Sequence, residues 1–160
     1  MAQQFAVIGL GRFGMSVART LSELGQEVFA IDVDEEKVQR IAPVVTHAVV
    51  ADVTDIEAMK SIGIRNVDVA VITVGSELKA SMVGTMVLRE LGVRTVVAKA
   101  NDDLHGKVLE KLGADRVVYP ERDGGSRLAR MLTSTNLIEQ IDLDPDYSIA
   151  EMTAPASLTG

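Results

Sequence analysis

The chain has no cysteine and no tryptophan, and only 3% of its residues are aromatic. The lack of cysteine excludes disulfides and thiolate metal sites. Aliphatic side chains must therefore form most of the core, since 47% of the 160 residues are hydrophobic. A core built from Ala, Val, Ile and Leu is typical of an α/β protein.

Positive charge is also scarce. The sequence holds 16 Lys and Arg against 23 Asp and Glu, which gives a formal net charge of -7. This argues against a nucleic-acid partner, because affinity for phosphate backbones comes mostly from Lys and Arg. No apolar stretch reaches the roughly 20 residues of a membrane helix, and the N-terminus MAQQFAVIG lacks the basic region of a signal peptide. We expect a soluble, cytoplasmic protein.

Strand-like and helix-like segments alternate six times along residues 1–120. The strand-like segments are short apolar runs such as EVFAIDV and VDVAVITV, and the last of them, DRVVYP, ends at Pro120. Short loops and right-handed crossovers are expected of such βαβ units. The pattern predicts a Rossmann-like, doubly wound parallel sheet of six strands in the order 3-2-1-4-5-6, complete within residues 1–120.

A helical apolar stripe follows the predicted sheet, within residues 121–140. Its members recur every three or four residues and are Leu128, Met131, Leu132, Thr135 and Ile138. The stripe either covers the edge of the sheet or crosses to a second subunit. Residues 141–160 are too few for a domain and stop at PASLTG, so we expect a truncated form of a longer protein.

A nucleotide site is predicted where the first strand meets the first helix. Gly9, Gly11 and Gly14 form a G-x-G-x-x-G pattern, in which Gly9 allows the tight turn, Gly11 admits a phosphate and Gly14 permits close packing. Asp32 ends the second strand, where a carboxylate accepts hydrogen bonds from ribose hydroxyls and repels a 2′-phosphate. The combination predicts nucleotide binding and disfavours NADP.

Arg12 stands at the start of the first helix, at the positive pole of its dipole, where a cation is unfavourable. A phosphate held by the loop amides would explain it, because Arg pairs bidentately with phosphate oxygens, in its own or a neighbouring subunit. The alternative is an exposed Arg whose stem lies over apolar surface. Phe13 beside Arg12, and Val33 beside Asp32, complete this part of the predicted site.

Other strand ends supply the rest of the predicted site. The candidate residues are Asp52, Val53 and Thr54 after strand three, Thr73, Val74 and Gly75 after strand four, and Lys99 in strand five. The first group either lines the adenine or, through Thr54 or Asp55, caps the next helix. The second group lies across the switch point, beside the ligand's second half. Lys99 points at phosphates or at solvent.

Several residues have competing interpretations. Glu121 either begins the last helix as a first-turn acid or holds a divalent cation. His47 and His105 have no partner at metal or triad spacing, which favours structural roles. The fourth helix has a broad apolar face, which serves core packing or a contact between subunits: Met82, Val83, Met86 and Val87.

The assembled sequence resembles the RCK domain (regulator of conductance of potassium) of the TrkA-N, or KTN, type. It is most similar to the regulatory subunits of Ktr and Trk potassium uptake systems. The stretches that carry the resemblance are VIGLGRFG, AIDVDEEKV, VVADVTD, VVAKANDDLHGKVLEKLGADRVVYPERDGG and RLARMLTSTNLIEQIDL. The first is shared with many dehydrogenases, and the last two are more particular.

The resemblance implies a regulator and not an enzyme. Such subunits bind ATP or ADP, or NAD or NADH, form dimers and then an octameric ring, and dock on an integral membrane potassium-transport subunit at the inner face of the membrane. Arg12 would reach the terminal phosphates, and Glu121 would lie near them with a divalent cation. The 121–140 helix would clasp the dimer partner, the helices with Met82 and Val108 would make ring contacts, and residues 141–160 would begin the C-terminal RCK lobe.

The rival hypotheses are an NAD-dependent oxidoreductase and a DNA-binding NAD redox sensor. An oxidoreductase needs a catalytic domain and a proton relay beside the nicotinamide, yet neither Tyr119 nor Tyr147 has a Tyr/Lys or His/Asp partner motif. The acidic charge and the lack of a helix-turn-helix pattern count against the sensor.

Overall fold

The structure, a computed structural model, describes residues 2–74 and 76–134. Within these residues six strands form one sheet in the order β3-β2-β1-β4-β5-β6, and every neighbouring pair is parallel. The strands are β1 (Gln4–Ile8), β2 (Glu27–Asp32), β3 (His47–Val50), β4 (Val69–Ile72), β5 (Thr95–Lys99) and β6 (Arg116–Val118). The predicted doubly wound order is confirmed.

Helices alternate with the strands. They are α1 (Arg12–Glu23), α2 (Glu35–Ile41), α3 (Ile56–Ile62), α4 (Leu78–Glu90), α5 (Asp103–Lys111) and α6 (Pro120–Leu132). A short 3₁₀ helix at Ile64–Asn66, which the sequence pattern did not predict, links α3 to β4. None of the described helices is long and apolar enough to cross a membrane.

Apolar cores cover both faces of the sheet, because neighbouring residues of a strand point to opposite faces. Along β1, Ala6 and Ile8 join one core with Ile31 and Ile72, whereas Val7 joins the other. Ile8 is in register with both Ile31 and Ile72. The carboxyl ends of β1, β2 and β4 therefore meet at one edge, which is where a doubly wound sheet binds its ligand.

The end of β6 and the start of the last helix differ from prediction. Pro120 was expected to end strand six, but it is the first residue of α6, and the helix continues through Gly124 and Gly125. Proline suits the first helical position, where its missing N–H has no helical partner to lose. Glu121 lies in the first turn, where acids favour the helix dipole.

The chain divides into two compact units between Tyr119 and Pro120. In the second unit the structure describes α6 and the two residues after it, and α6 exposes Leu128 and Leu132. The predicted stripe residues Thr135 and Ile138, the end of the 121–140 segment and all of 141–160 lie outside the described residues.

Candidate functional site

A cavity of about 350 Å³ opens at the carboxyl edge of the sheet. It lies beside the switch point between β1 and β4, the usual ligand position in this topology. The residues of the predicted site that line it are Gly9, Gly11, Asp32, Val33, Asp52, Val53, Thr73, Val74 and Lys99. Gly75 was predicted with them but lies outside the described residues.

The three glycines of the loop have different surroundings. Gly9 has a positive φ of 103°, and a Cβ at Gly14 would lie 1.8 Å from the Gly9 carbonyl oxygen. These two positions therefore require glycine for backbone shape and for close packing. A Cβ at Gly11 would meet nothing within 4 Å. Gly11 thus leaves an open side of the backbone that a phosphate can approach.

The peptide between Gly9 and Leu10 is held from both sides. The Thr73 hydroxyl donates to the Gly9 carbonyl oxygen at 2.7 Å, and the Leu10 amide donates to Asp32 Oδ2 at 2.6 Å. The other Asp32 oxygen accepts from the Asp34 amide at 2.8 Å. Asp32 was predicted only as a ribose acceptor, and its role in fixing the loop was missed. Its oxygens keep further lone pairs for a ribose.

Helix α1 begins without a side-chain cap. Its N-cap is Gly11, its first turn holds no acidic residue, and the bond from the Met15 amide to the Gly11 carbonyl is 2.8 Å. The amides before Met15 therefore point out of the helix end with partial positive charge. Arg12 is exposed at this pole, whereas Gly14 is buried. Both residues lie outside the cavity lining.

Lys99 and Phe13 lie together near this end of the cavity. The Lys99 ammonium nitrogen is 5.8 Å from the centroid of the Phe13 ring. That distance suits a cation–π contact and positions the ammonium group of a cavity-lining lysine. Phe13 itself does not belong to the lining, so its contribution in this geometry is to the position of Lys99.

The stretch after β3 is organised by its own hydrogen bonds. The Thr54 amide and hydroxyl both donate to Asp52 Oδ1, at 2.9 and 2.7 Å. These two bonds, with a smaller effect of Lys79, hold the pKa of Asp52 below its ordinary value of 3.8. Asp55 caps α3 by accepting from the Glu57 and Ala58 amides. Thr54 is turned to Asp52 and lies outside the cavity lining, and its predicted adenine contact stays a prediction.

The cavity also has lining residues that the sequence analysis missed. The polar ones are Lys37 in α2 and Ser76 and Glu77 before α4. Lys37 is the third residue of α2, and its place on this rim depends on its tertiary position, which no spacing in the sequence signals. No group of three His, Asp or Glu in the described part of the chain is placed to hold a metal ion.

The remaining predictions concern α4 and the histidines. Val87 is buried, whereas Met86 is 47% exposed, so the apolar face of α4 is only partly used by the core. His105 is buried, its Nε2 lies 3.0 Å from Ser81 Oγ, and its Nδ1 accepts from the Asn101 amide at 3.0 Å. These contacts fit the structural role predicted for His105.

The chain is similar to known proteins both in sequence and in structure. The TrkA-N domain family profile matches residues 5–120. Ktr system potassium uptake proteins C and A of Bacillus subtilis (strain 168) are 45% and 44% identical to this chain. The matches cover 100% and 98% of this chain and 72% and 70% of those proteins.

Among solved structures, the GsuK channel bound to NAD superposes with a TM-score of 0.64 at 14% identity, over 74% of this chain and 21% of that one. GsuK bound to ADP superposes with the same TM-score, over 74% of this chain and 31% of that one. At this level of identity the superposition supports the fold alone.

Proposed function

The chain belongs to the TrkA-N domain family, and on that premise we propose that it is the nucleotide-binding regulatory subunit of a potassium uptake system. The observation that carries the proposal is the cavity at the switch point, where an uncapped helix start, an acid at the end of β2 and Lys99 come together. Its presence in a chain 45% identical to Ktr protein C ties nucleotide binding to potassium uptake.

The proposed ligand is an adenine nucleotide, ATP or ADP, with NAD or NADH as the alternative. Its phosphates would take the open side of Gly11 and the outward amides of α1, with Lys99 as counter-charge. The ribose would use the free lone pairs of Asp32, and Val33 and Val53 would border the adenine. GsuK, a channel with a domain of this fold, has structures bound to NAD and to ADP, which is a precedent for this class of ligand on the fold.

Regulation requires that two ligands favour different states. ATP and ADP differ by one phosphate, and the exposed guanidinium of Arg12 is the group proposed to distinguish them. A ligand shifts a conformational equilibrium only by its differential affinity for the two states. Glu121 remains the proposed ligand of a divalent cation, on the family resemblance.

Assembly and location follow from the family. We propose a dimer through the 121–140 segment, of which α6 exposes Leu128 and Leu132. We propose an octameric ring through α4 and α5, which expose Met86 and Leu104. The ring would lie in the cytoplasm against a membrane-embedded potassium-transport subunit. In this proposal the nucleotide is a regulatory ligand and the chain catalyses no reaction.

Isothermal titration calorimetry with ATP, ADP, NADH and NAD tests the ligand, with NADPH as the compound that Asp32 should disfavour. Lys99→Ala is expected to lower the affinity for ADP about tenfold. Lys111→Ala, which removes an exposed lysine at the end of α5, serves as its matched control and should bind ADP as the unaltered chain does. Failure of every adenine nucleotide to bind would overturn the proposal.

Mass in solution and an NADH oxidation assay over a small panel of substrates separate the regulator from the oxidoreductase. The regulator is expected to form dimers or larger rings and to leave NADH unconsumed. A monomer that oxidises NADH would favour the enzyme instead.

A further inference from the structure

Thr73 directly follows β4, at the carboxyl edge of the sheet. The Thr73 side chain is buried against two glycines of the loop. A Cβ added at Gly9 would lie 2.8 Å from the Thr73 hydroxyl oxygen, and one added at Gly14 would lie 2.7 Å from it. The sequence pattern predicts Thr73 as a ligand contact. Thr73 lines the cavity, and its hydroxyl is directed to the backbone of the glycine loop.

The hydroxyl continues the hydrogen-bond ladder between β1 and β4. The Thr73 amide donates to the Ile8 carbonyl at 2.8 Å, which extends the ladder by one bond beyond Ile72. Gly9 then leaves the strand direction with its positive φ. The Thr73 hydroxyl lies 2.7 Å from the Gly9 carbonyl and 3.2 Å from that of Ile8. Having one proton, it donates to the nearer oxygen of Gly9.

The position of this carbonyl sets the direction of the next amide. In a trans peptide the C=O and N–H point in opposite directions, so the Leu10 N–H faces away from Thr73 and reaches Asp32 Oδ2. One peptide plane is thus held on one side by the side chain of Thr73, directly after β4, and on the other by that of Asp32, at the end of β2. The chain enters Gly11 and the outward amides of α1 directly after this plane.

We propose that Thr73 is a positioning residue for the nucleotide site: its hydroxyl fixes the Gly9–Leu10 peptide and so pre-forms the phosphate-binding loop. The proposal rests on the proposed nucleotide function. A loop that is only partly in its binding conformation lowers the apparent affinity by the populated fraction. Loss of the hydroxyl should therefore weaken a phosphate ligand without removing any ligand contact of Lys99 or Asp32.

Thr73→Val keeps the side-chain shape and removes the hydroxyl, whereas Thr73→Ser keeps the hydroxyl. We expect Thr73→Val to weaken ADP about tenfold in calorimetry, and Thr73→Ser to stay within about threefold of the unaltered chain. Thr85→Val is the matched control, because the buried Thr85 hydroxyl donates to the Ser81 carbonyl within α4. It should lower the melting temperature and leave ADP affinity unchanged.

Amide hydrogen exchange of Leu10 in the ligand-free chain gives a second readout. Exchange should become at least several-fold faster in Thr73→Val than in Thr85→Val, because only the former frees the Gly9–Leu10 peptide. This readout tests the positioning role even if the unaltered chain binds no nucleotide, an outcome that would overturn the proposed function alone. The inference fails if Thr73→Val binds ADP normally, if Thr85→Val or Thr73→Ser weakens it equally, or if Leu10 exchange does not change.

Discussion

The N-terminus of α1 and those of α2, α3 and α5 are built in opposite ways. Each of the latter three is capped by an aspartate, Asp34, Asp55 or Asp102, whose side chain accepts from a first-turn amide, and each holds a further acid in its first turn. Helix α1 has Gly11 as its cap, no acid in its first turn, and Arg12 as its first residue.

In the proposed function, this difference separates helix ends that serve folding from the one that faces the phosphates. Helix α4, which also lacks a side-chain cap and a first-turn acid, begins beside the same cavity. An aspartate cap stabilises a helix by about 1 kcal/mol, and an acid near the positive pole adds a few tenths. Helix α1 gives up both contributions at the edge of the sheet where the cavity opens. Its polar amides stay available to an anion from outside the chain, which is the property the proposed phosphate site requires.

The largest effect is expected where α1 presses on the glycine loop. Gly14→Ala would place a Cβ 1.8 Å from the Gly9 carbonyl oxygen, which is backbone and cannot rotate away. We expect the free energy of unfolding in urea to fall by about 3 kcal/mol or more. Gly11→Ala, where the added carbon meets nothing within 4 Å, is the control and should cost less than about 1 kcal/mol. Equal losses in the two variants would show that the backbone at Gly11 is not open to an added carbon.

Gly11→Asp would give α1 the cap that α2, α3 and α5 already have. The new carboxylate should accept hydrogen bonds from the first-turn amides and raise the free energy of unfolding by about 0.5 kcal/mol. It should also lower the affinity for ADP roughly 30-fold, because it would occupy the phosphate position and repel the phosphates. Asp55→Ala makes the opposite change on α3, and should cost about 1 kcal/mol of stability with ADP affinity unchanged. An unchanged ADP affinity in Gly11→Asp would place the phosphates elsewhere.

Arg12→Ala tests the cation at the same helix end. We expect the affinity for ATP to fall about tenfold and the affinity for ADP about twofold, because only the terminal phosphate of ATP would need the guanidinium. Stability should hold or rise by a few tenths of a kcal/mol, since a cation leaves the positive pole of α1. Arg19→Ala, an exposed arginine further along α1, is the control. Equal weakening of ATP and ADP would remove the sensing role.

The sequence predicts those parts of the fold that are set by local signals. Local signals were enough for the strand order and for the start of α1 after Gly11. They were less exact at Pro120, which was assigned to the end of strand six and instead begins α6. First-turn acids favour that helix start, in agreement with the interpretation of Glu121 as a first-turn acid.

For the candidate site, the sequence identifies which strand ends carry the lining but not where each side chain points. The glycine spacing and Asp32 predict the cavity's position, because both are fixed by strand–turn–helix order. The bonds of Thr73 to Gly9 and of Thr54 to Asp52 depend on side-chain rotamers that no spacing rule contains. Lys37 reaches the cavity from α2 by the same kind of tertiary detail.

The smallest expected effect concerns pH at the capped end of α5. His105 is the residue whose amide bonds to Asp102, and burial of its ring lowers its pKa below the ordinary 6.5 against a weaker opposing effect of Asp102. The unfolded chain then binds a proton at mildly acidic pH that the folded chain does not, so stability falls as pH drops below about 6.5 and is fully present above it.

The chain is expected to lose up to about 1 kcal/mol between pH 7.5 and pH 5.5, measured by urea unfolding at each pH. His105→Gln should be less stable at both values but should flatten this difference. His47→Gln, at the exposed start of β3, should keep it. If the slope survives in His105→Gln, the pH sensitivity belongs to a group other than the His105 ring.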